Sequence, residues 1–246
     1  MGIIRQILRP LPNTLTLCNL VSGCLSVVSA LEGRLLLASI LVLVAAVFDF
    51  FDGFAARLLG ASSALGKELD SLSDVVSFGV APSIMLYVLM RQGLGLTPME
   101  GIFQGHWLLV VPFFVAAMAS LRLGRFNLDE RQATSFIGLP TPAMAMVVVG
   151  LVMGQRSAML EGMFAGLTHP YALVALCITL GLLMVCSLPM FSLKVSSLRP
   201  RVAYKQLLLL LGALPALLLG WAALWCIMGW YIALAIFFGI RDCWNT

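Results

Sequence analysis

The chain has 246 residues, 61% of them apolar and only 11% charged, with a formal net charge of +4 and a mean hydropathy of +1.03. Soluble domains hold about 45–50% apolar and about 25% charged residues, so a water-soluble fold is excluded. The apolar residues run in long blocks rich in Leu, Ala and Met instead of ten-residue alternations, which excludes a transmembrane β-barrel and leaves an all-α, polytopic transmembrane helical bundle.

In chain order, residues 1–13 set Ile3, Ile4, Ile7 and Leu8 against Arg5 and Arg9, a basic amphipathic pattern that suits a helix lying on the membrane surface. Asn13 or Thr14 is a candidate N-cap for the first span, which reads as uncleaved. Spans are predicted at 14–31, 35–58, 69–91, 106–124, 140–155 and 170–190, followed by a basic hinge from Lys194 to Lys205. The stretch 206–240, broken by Gly212, Pro215 and Gly220, is too long for one span and reads as two short helices joined near Gly220. The division is thus a surface helix at 1–13, a six-helix core at 14–190 and two C-terminal helices within 191–246, about eight spans in all.

Eight spans put 12 of the 15 basic residues on one side, leaving Arg34, Arg91 and Arg156 on the other. By the positive-inside rule that side is cytoplasmic and holds both termini. Seven spans would misplace only Arg241. Cys18, Cys24, Cys177, Cys186, Cys226 and Cys243 form no CxxC pair and read as small core residues. His106 and His169 have no carboxylate partner nearby in sequence and are set aside as ligands.

Five of the 11 acidic residues, Asp49, Asp52, Glu68, Asp70 and Asp74, fall within 26 positions at the ends of spans two and three. Ionisable groups inside spans are costly and point to function. Positions 49, 52, 53 and 56 follow i, i+3, i+4, i+7, so Asp49 and Asp52 share a helix face with Gly53 and Ala56. Gly66, Asp70 and Asp74 repeat at i+4 on the next helix, and the short 58–65 turn makes the two helices antiparallel neighbours. Four carboxylates at close quarters repel one another unless a cation sits among them, and all-oxygen ligation suits Mg²⁺, Mn²⁺ or Ca²⁺. Two such ions would hold a diphosphate, with Gly53 and Ala56 giving it room and Arg57 pairing with its charge. Glu68 and Lys67 read as a solvated interfacial pair.

At these residues the sequence resembles the CDP-alcohol phosphotransferase family, whose motif reads D-x2-D-G-x2-A-R-x8-G-x3-D-x3-D. Asp49, Asp52, Gly53, Ala56, Arg57, Gly66, Asp70 and Asp74 match every fixed position. The resemblance implies that Asp49, Asp52 and Asp70 hold divalent metal, Mg²⁺ or Mn²⁺ and two ions, with Asp74 ligating or acting as general base. It places Gly53, Ala56, Arg57 and Gly66 around the CDP moiety. Leu11 to Thr16, Ser77 to Pro82, Arg122 to Asn127 and Phe136 to Pro142 look like the phosphatidylserine synthase branch of bacteria and archaea. Beside the motif, Asn13 and Thr16 suit hydrogen bonds to cytosine or ribose. Arg122, Arg125 and Asn127 suit the acceptor, since a carboxylate is matched by an arginine fork.

The implied reaction is transfer of the phosphatidyl group of CDP-diacylglycerol to the hydroxyl of L-serine, in a prokaryotic inner membrane, with the site facing the cytoplasm. A homodimer is implied by the resemblance alone. Glycerol 3-phosphate or an inositol phosphate is the alternative acceptor. A divalent-cation transporter is the rival from another class, although the acids sit at one membrane face and no inverted repeat is visible.

Overall fold

The computed structural model of the chain describes residues 10–61, 63–97, 100–128, 136–186, 189–190, 214 and 217–244. Helix α1 spans Leu11–Leu31 and α2 spans Leu35–Leu59. Helix α3, Ala64–Asp74, continues through a π-helical turn, Val75–Val80, into α4, Ala81–Gly93. Two 3₁₀ turns, Ile102–Gln104 and Trp107–Val110, lead to α5, Pro112–Leu128. Helices α6, Thr141–Gly154, α7, Glu161–Leu167, and α8, Pro170–Val185, follow, and α9 occupies Ala223–Trp244.

This is a polytopic helical membrane protein. Among the described residues five helical stretches are long and apolar enough to cross a membrane: Leu11–Leu31, Leu35–Leu59, Ala64–Gly93, Trp107–Leu128 and Gly220–Phe238. A sixth crossing arises if Thr141–Gly154 and Ala158–Leu167, bent by 95° at their junction, form one broken span, while Pro170–Val185 is a shorter apolar helix. The expected helix before Gly220 and the surface helix at 1–13 fall almost wholly outside the described residues. Two details differ from the sequence reading. Helix α1 starts at Leu11 with Pro12 in its first turn and no side-chain cap, and Thr14 Oγ1 donates back to the Pro10 carbonyl, so neither Asn13 nor Thr14 is the N-cap. A two-residue antiparallel pair, Phe136–Ile137 with Pro189–Met190, also ties the segment before α6 to the segment after α8.

Helices α1 and α2 pack with small residues inside and bulky ones outside, the arrangement expected where lipid is as apolar as leucine and close approach drives association. On α2, Ala38, Ser39, Val42, Ala45 and Ala55 are buried, whereas Val47, Phe50, Phe51, Phe54 and Leu58 are exposed. On α1 the buried face is Thr16, Asn19, Ser22, Gly23, Ser26 and Ser29. Helices α1 and α2 pack along their lengths, and α1 also lies against α3 and the π turn. Ser26 Oγ crosses between the first pair to the Ala38 carbonyl at 2.9 Å. Any side chain at Gly23 would collide with Ser77.

The π turn has a local cause. Pro82 has no N–H and its ring crowds the carbonyl four residues back, so the ladder loosens just before it and Ala81 N bonds instead to Val76 O. Ser83 Oγ donates to the Gly79 carbonyl at 2.8 Å, a side chain serving backbone where water is absent.

Candidate active site

Gly60 ends α2 in a left-handed conformation, φ 60°, that a side chain would disfavour. Ser63 then caps α3, its hydroxyl accepting the Gly66 N–H at 3.0 Å. Contrary to the expectation from the short turn, the two helices do not pack along each other as antiparallel neighbours; α2 and α3 both pack on α1, and this arrangement brings the two halves of the acidic motif together.

Carboxylate oxygens of Asp49, Asp70 and Asp74 lie within 4.8 Å of one another. Asp52 stands beside them, 5% exposed, its Oδ2 accepting the Thr16 hydroxyl at 2.6 Å. Asp74, 8% exposed, accepts from Asn19 Nδ2 at 3.2 Å. Asp70 Oδ1 is buried with no hydrogen-bond partner. Among the described residues no cation reaches ion-pair distance of these four acids; the ion pair found joins exposed Arg34 and Glu32 at 3.8 Å. Arg57 Nε donates to the Gly53 carbonyl at 2.9 Å and Lys67 Nζ to the Asn127 carbonyl at 3.4 Å, so neither neutralises the cluster. Mutually repelling carboxylates with a buried orphan oxygen fit a hard divalent cation.

Beside the cluster opens a cavity of about 320 Å³. Asn13, Thr16, Gly53, Ala56, Arg57 and Gly66 all line it, together with Asp52 and Asp70. A Cβ at Gly53 would meet nothing within 4 Å, so that glycine faces open space, whereas one at Gly66 would press on Asn13 Oδ1 at 3.1 Å. Lys67 and Ser63 line the cavity too; Lys67 is therefore part of the pocket and not merely half of an interfacial pair with Glu68.

The three residues expected at the acceptor site separate. Arg122 is 7% exposed, donates from Nη1 to Thr141 Oγ1 at 3.3 Å and lies within electrostatic reach of Asp74 and Tyr231. Its Nε is buried and unpartnered. Arg125 is exposed. Asn127 turns to α3, donating from Nδ2 to Ser71 Oγ at 2.8 Å, and so braces the acidic helix. The residue that the sequence reading missed is Asn19, fully buried, which holds Asp74 through its amide and accepts the Ser77 hydroxyl on its main-chain carbonyl at 3.0 Å. Its signal is an amide three residues after Thr16, on the same face of a helix whose buried side is otherwise small.

Comparison with known proteins agrees with this geometry. Residues 9–174 match the model of the CDP-alcohol phosphatidyltransferase family. The CDP-diacylglycerol–serine O-phosphatidyltransferase of Mycobacterium leprae is 40% identical over 152 residues, 59% of this chain and 47% of that protein. The archaetidylserine synthase of Methanothermobacter thermautotrophicus is 36% identical over 167 residues, 67% and 64% of the two chains. The CDP-diacylglycerol–serine O-phosphatidyltransferase of Bacillus subtilis is 37% identical over 139 residues, 56% and 73%. The match thus spans about half of the first relative and under two thirds of the second.

Proposed function

This chain belongs to the CDP-alcohol phosphatidyltransferase family, and from that premise we propose that it transfers the phosphatidyl group of CDP-diacylglycerol to the hydroxyl of L-serine, giving phosphatidylserine and CMP. The observation that carries the reading is the carboxylate cluster of Asp49, Asp70 and Asp74, with Asp52 alongside, set against a cavity lined by every residue expected to hold the CDP moiety. The names of the relatives support serine as acceptor.

Asp49, Asp52, Asp70 and Asp74 would hold divalent metal, Mg²⁺ or Mn²⁺ and two ions. Bound there, it neutralises charge on the phosphoryl oxygens and on the departing phosphate. Arg57 and Lys67 add cationic charge on the cavity wall for the nucleotide's phosphates. Thr16 fixes the rotamer of Asp52, and Asn13 and Gly66 shape the pocket for cytidine. Asp74 takes the proton of the serine hydroxyl as it attacks the β-phosphorus, and the bond to CMP breaks. Asn19 occupies one oxygen of that carboxylate and holds the other toward the acceptor. Arg122 binds the serine carboxylate.

We place the reaction in the cytoplasmic membrane of a prokaryote, as a step of phospholipid biosynthesis, with the site and both termini on the cytoplasmic side and the chain working as a homodimer. Residues 14–190 are the catalytic core and 191–246 a C-terminal unit added to it.

The test is CMP release by the purified protein in detergent with CDP-diacylglycerol and Mn²⁺ or Mg²⁺. Release that requires L-serine supports the proposal. Release with glycerol 3-phosphate or inositol phosphate in its place overturns the acceptor and keeps the site, while no release with any acceptor favours divalent-cation transport.

A further inference from the structure

Among the described residues no acid reaches ion-pair distance of Arg122. Its side chain is buried, its Nη1 donates to the neutral Thr141 hydroxyl, its guanidinium carbon stands 5.9 Å from the centre of the Phe126 ring, and its Nε has no hydrogen-bond partner. A buried guanidinium without an anion is strongly unfavourable, and Asp74, though within electrostatic reach, is not in ion-pair contact with it. A small molecule carrying an anion at one end and a reactive hydroxyl at the other would bridge Arg122 and Asp74. Neither residue is among those that line the cavity beside the carboxylate cluster.

A residue from beyond the family match, which ends at residue 174, lies within electrostatic reach of Arg122. Helix α9 packs on α6, and Gly150 permits it: a Cβ there would lie 2.6 Å from the Trp225 main-chain nitrogen. With Gly150 opposite Trp225, six residues along α9 advance about 9 Å, toward the end of α6 that carries Thr141. Tyr231 stands at that level, 6% exposed, with its phenol within electrostatic reach of Arg122.

We propose that Tyr231, supplied by the C-terminal helix α9, completes with Arg122 and Thr141 a pocket for the acceptor's carboxylate and is a specificity-determining residue for an amino-acid acceptor. The carboxylate bridges the open Nε edge of Arg122 and the Tyr231 hydroxyl, which leaves the acceptor's own hydroxyl facing Asp74. This rests on the serine reading above and deepens it: the C-terminal helix is part of the acceptor site.

The experiment compares the full-length protein with its Tyr231→Phe and Tyr231→Leu variants in the CMP-release assay, titrating L-serine, then serinol, which keeps the hydroxyl and lacks the carboxylate. Loss of a hydrogen bond to a charged group predicts an approximately tenfold rise in KM for L-serine in Tyr231→Phe. The kcat and the KM for CDP-diacylglycerol stay within about twofold, and the preference for L-serine over serinol falls by the same tenfold factor. A Tyr231→Phe protein with the parent's KM and the parent's preference overturns the assignment of Tyr231 alone. Absence of serine-dependent release from the parent protein overturns the serine reading and this pocket with it.

Discussion

Thr16 and Asp52, 36 residues apart in sequence, are joined by a 2.6 Å hydrogen bond between buried side chains. The bond links α1 to α2 at the cavity beside the carboxylate cluster, which both residues line. Thr16→Val keeps the shape and removes the donor, leaving a buried carboxylate less satisfied. A hydrogen bond to a charged group is worth about 1.5–3 kcal/mol, so kcat/KM for CDP-diacylglycerol should fall about ten- to a hundredfold, with Thr16→Ser recovering most of it. Steady-state CMP release at fixed serine reads both.

The acidic cluster makes opposite predictions with and without metal. In chelator the carboxylates repel one another, so Asp70→Asn should raise the melting temperature of the protein. The parent should gain stability on adding Mn²⁺ or Mg²⁺ and the variant should gain much less. A thermal-shift series in detergent, with and without chelator, checks both signs.

Asp74→Asn should abolish turnover while leaving CDP-diacylglycerol binding largely intact, because Asp74 is not among the residues that line the cavity beside the cluster whereas Asp52 and Asp70 are. Asp49→Asn should weaken metal-dependent binding as well. Near-normal activity in Asp74→Asn would remove it as the base.

Asn19→Leu deletes the amide that holds Asp74 and is expected to lower kcat more than the KM for CDP-diacylglycerol. Asn19→Asp places a further acid against Asp74 and should do more damage than leucine, a ranking that simple packing loss would reverse. Parallel kinetics on the two variants decide it.

The motif spacing was enough to place Asp49, Asp52, Asp70 and Asp74 on two helices joined by a capped reversal, because helical periodicity and capping are local properties; that these helices meet through α1 and not by packing on each other is not local. The cavity lining was equally legible, down to Gly53 and Gly66. Asn127 shows where this reasoning stops. Its type and position suit an acceptor ligand, yet its partner is Ser71, 56 residues away, and no periodicity reports a cross-helix partner. The α1 start was misplaced for a different reason: Asn13 and Thr14 are good caps, but Pro12 is better placed in a first turn, where its missing N–H costs nothing. The approach of Tyr231 to Arg122 depends on how α9 meets the rest of the bundle and has no local signature at all.

The π-helical turn at Val75–Val80 has a consequence for how this stretch tolerates change in length. A π turn holds one residue more than the α-helix it interrupts, and one residue turns a helix by about 100°. The residues before it, Asp70 and Asp74, are aimed at the carboxylate cluster, while those after it, Met85, Leu86 and Met90, are aimed into the apolar interior. The two aims are compatible only with the additional residue in place. Removing a single residue between Val75 and Val80 would let the helix close into regular α form, and one of the two faces would then have to rotate away from its target. The protein would keep its hydropathy, its span and every acid of the motif, and lose the site through angle alone.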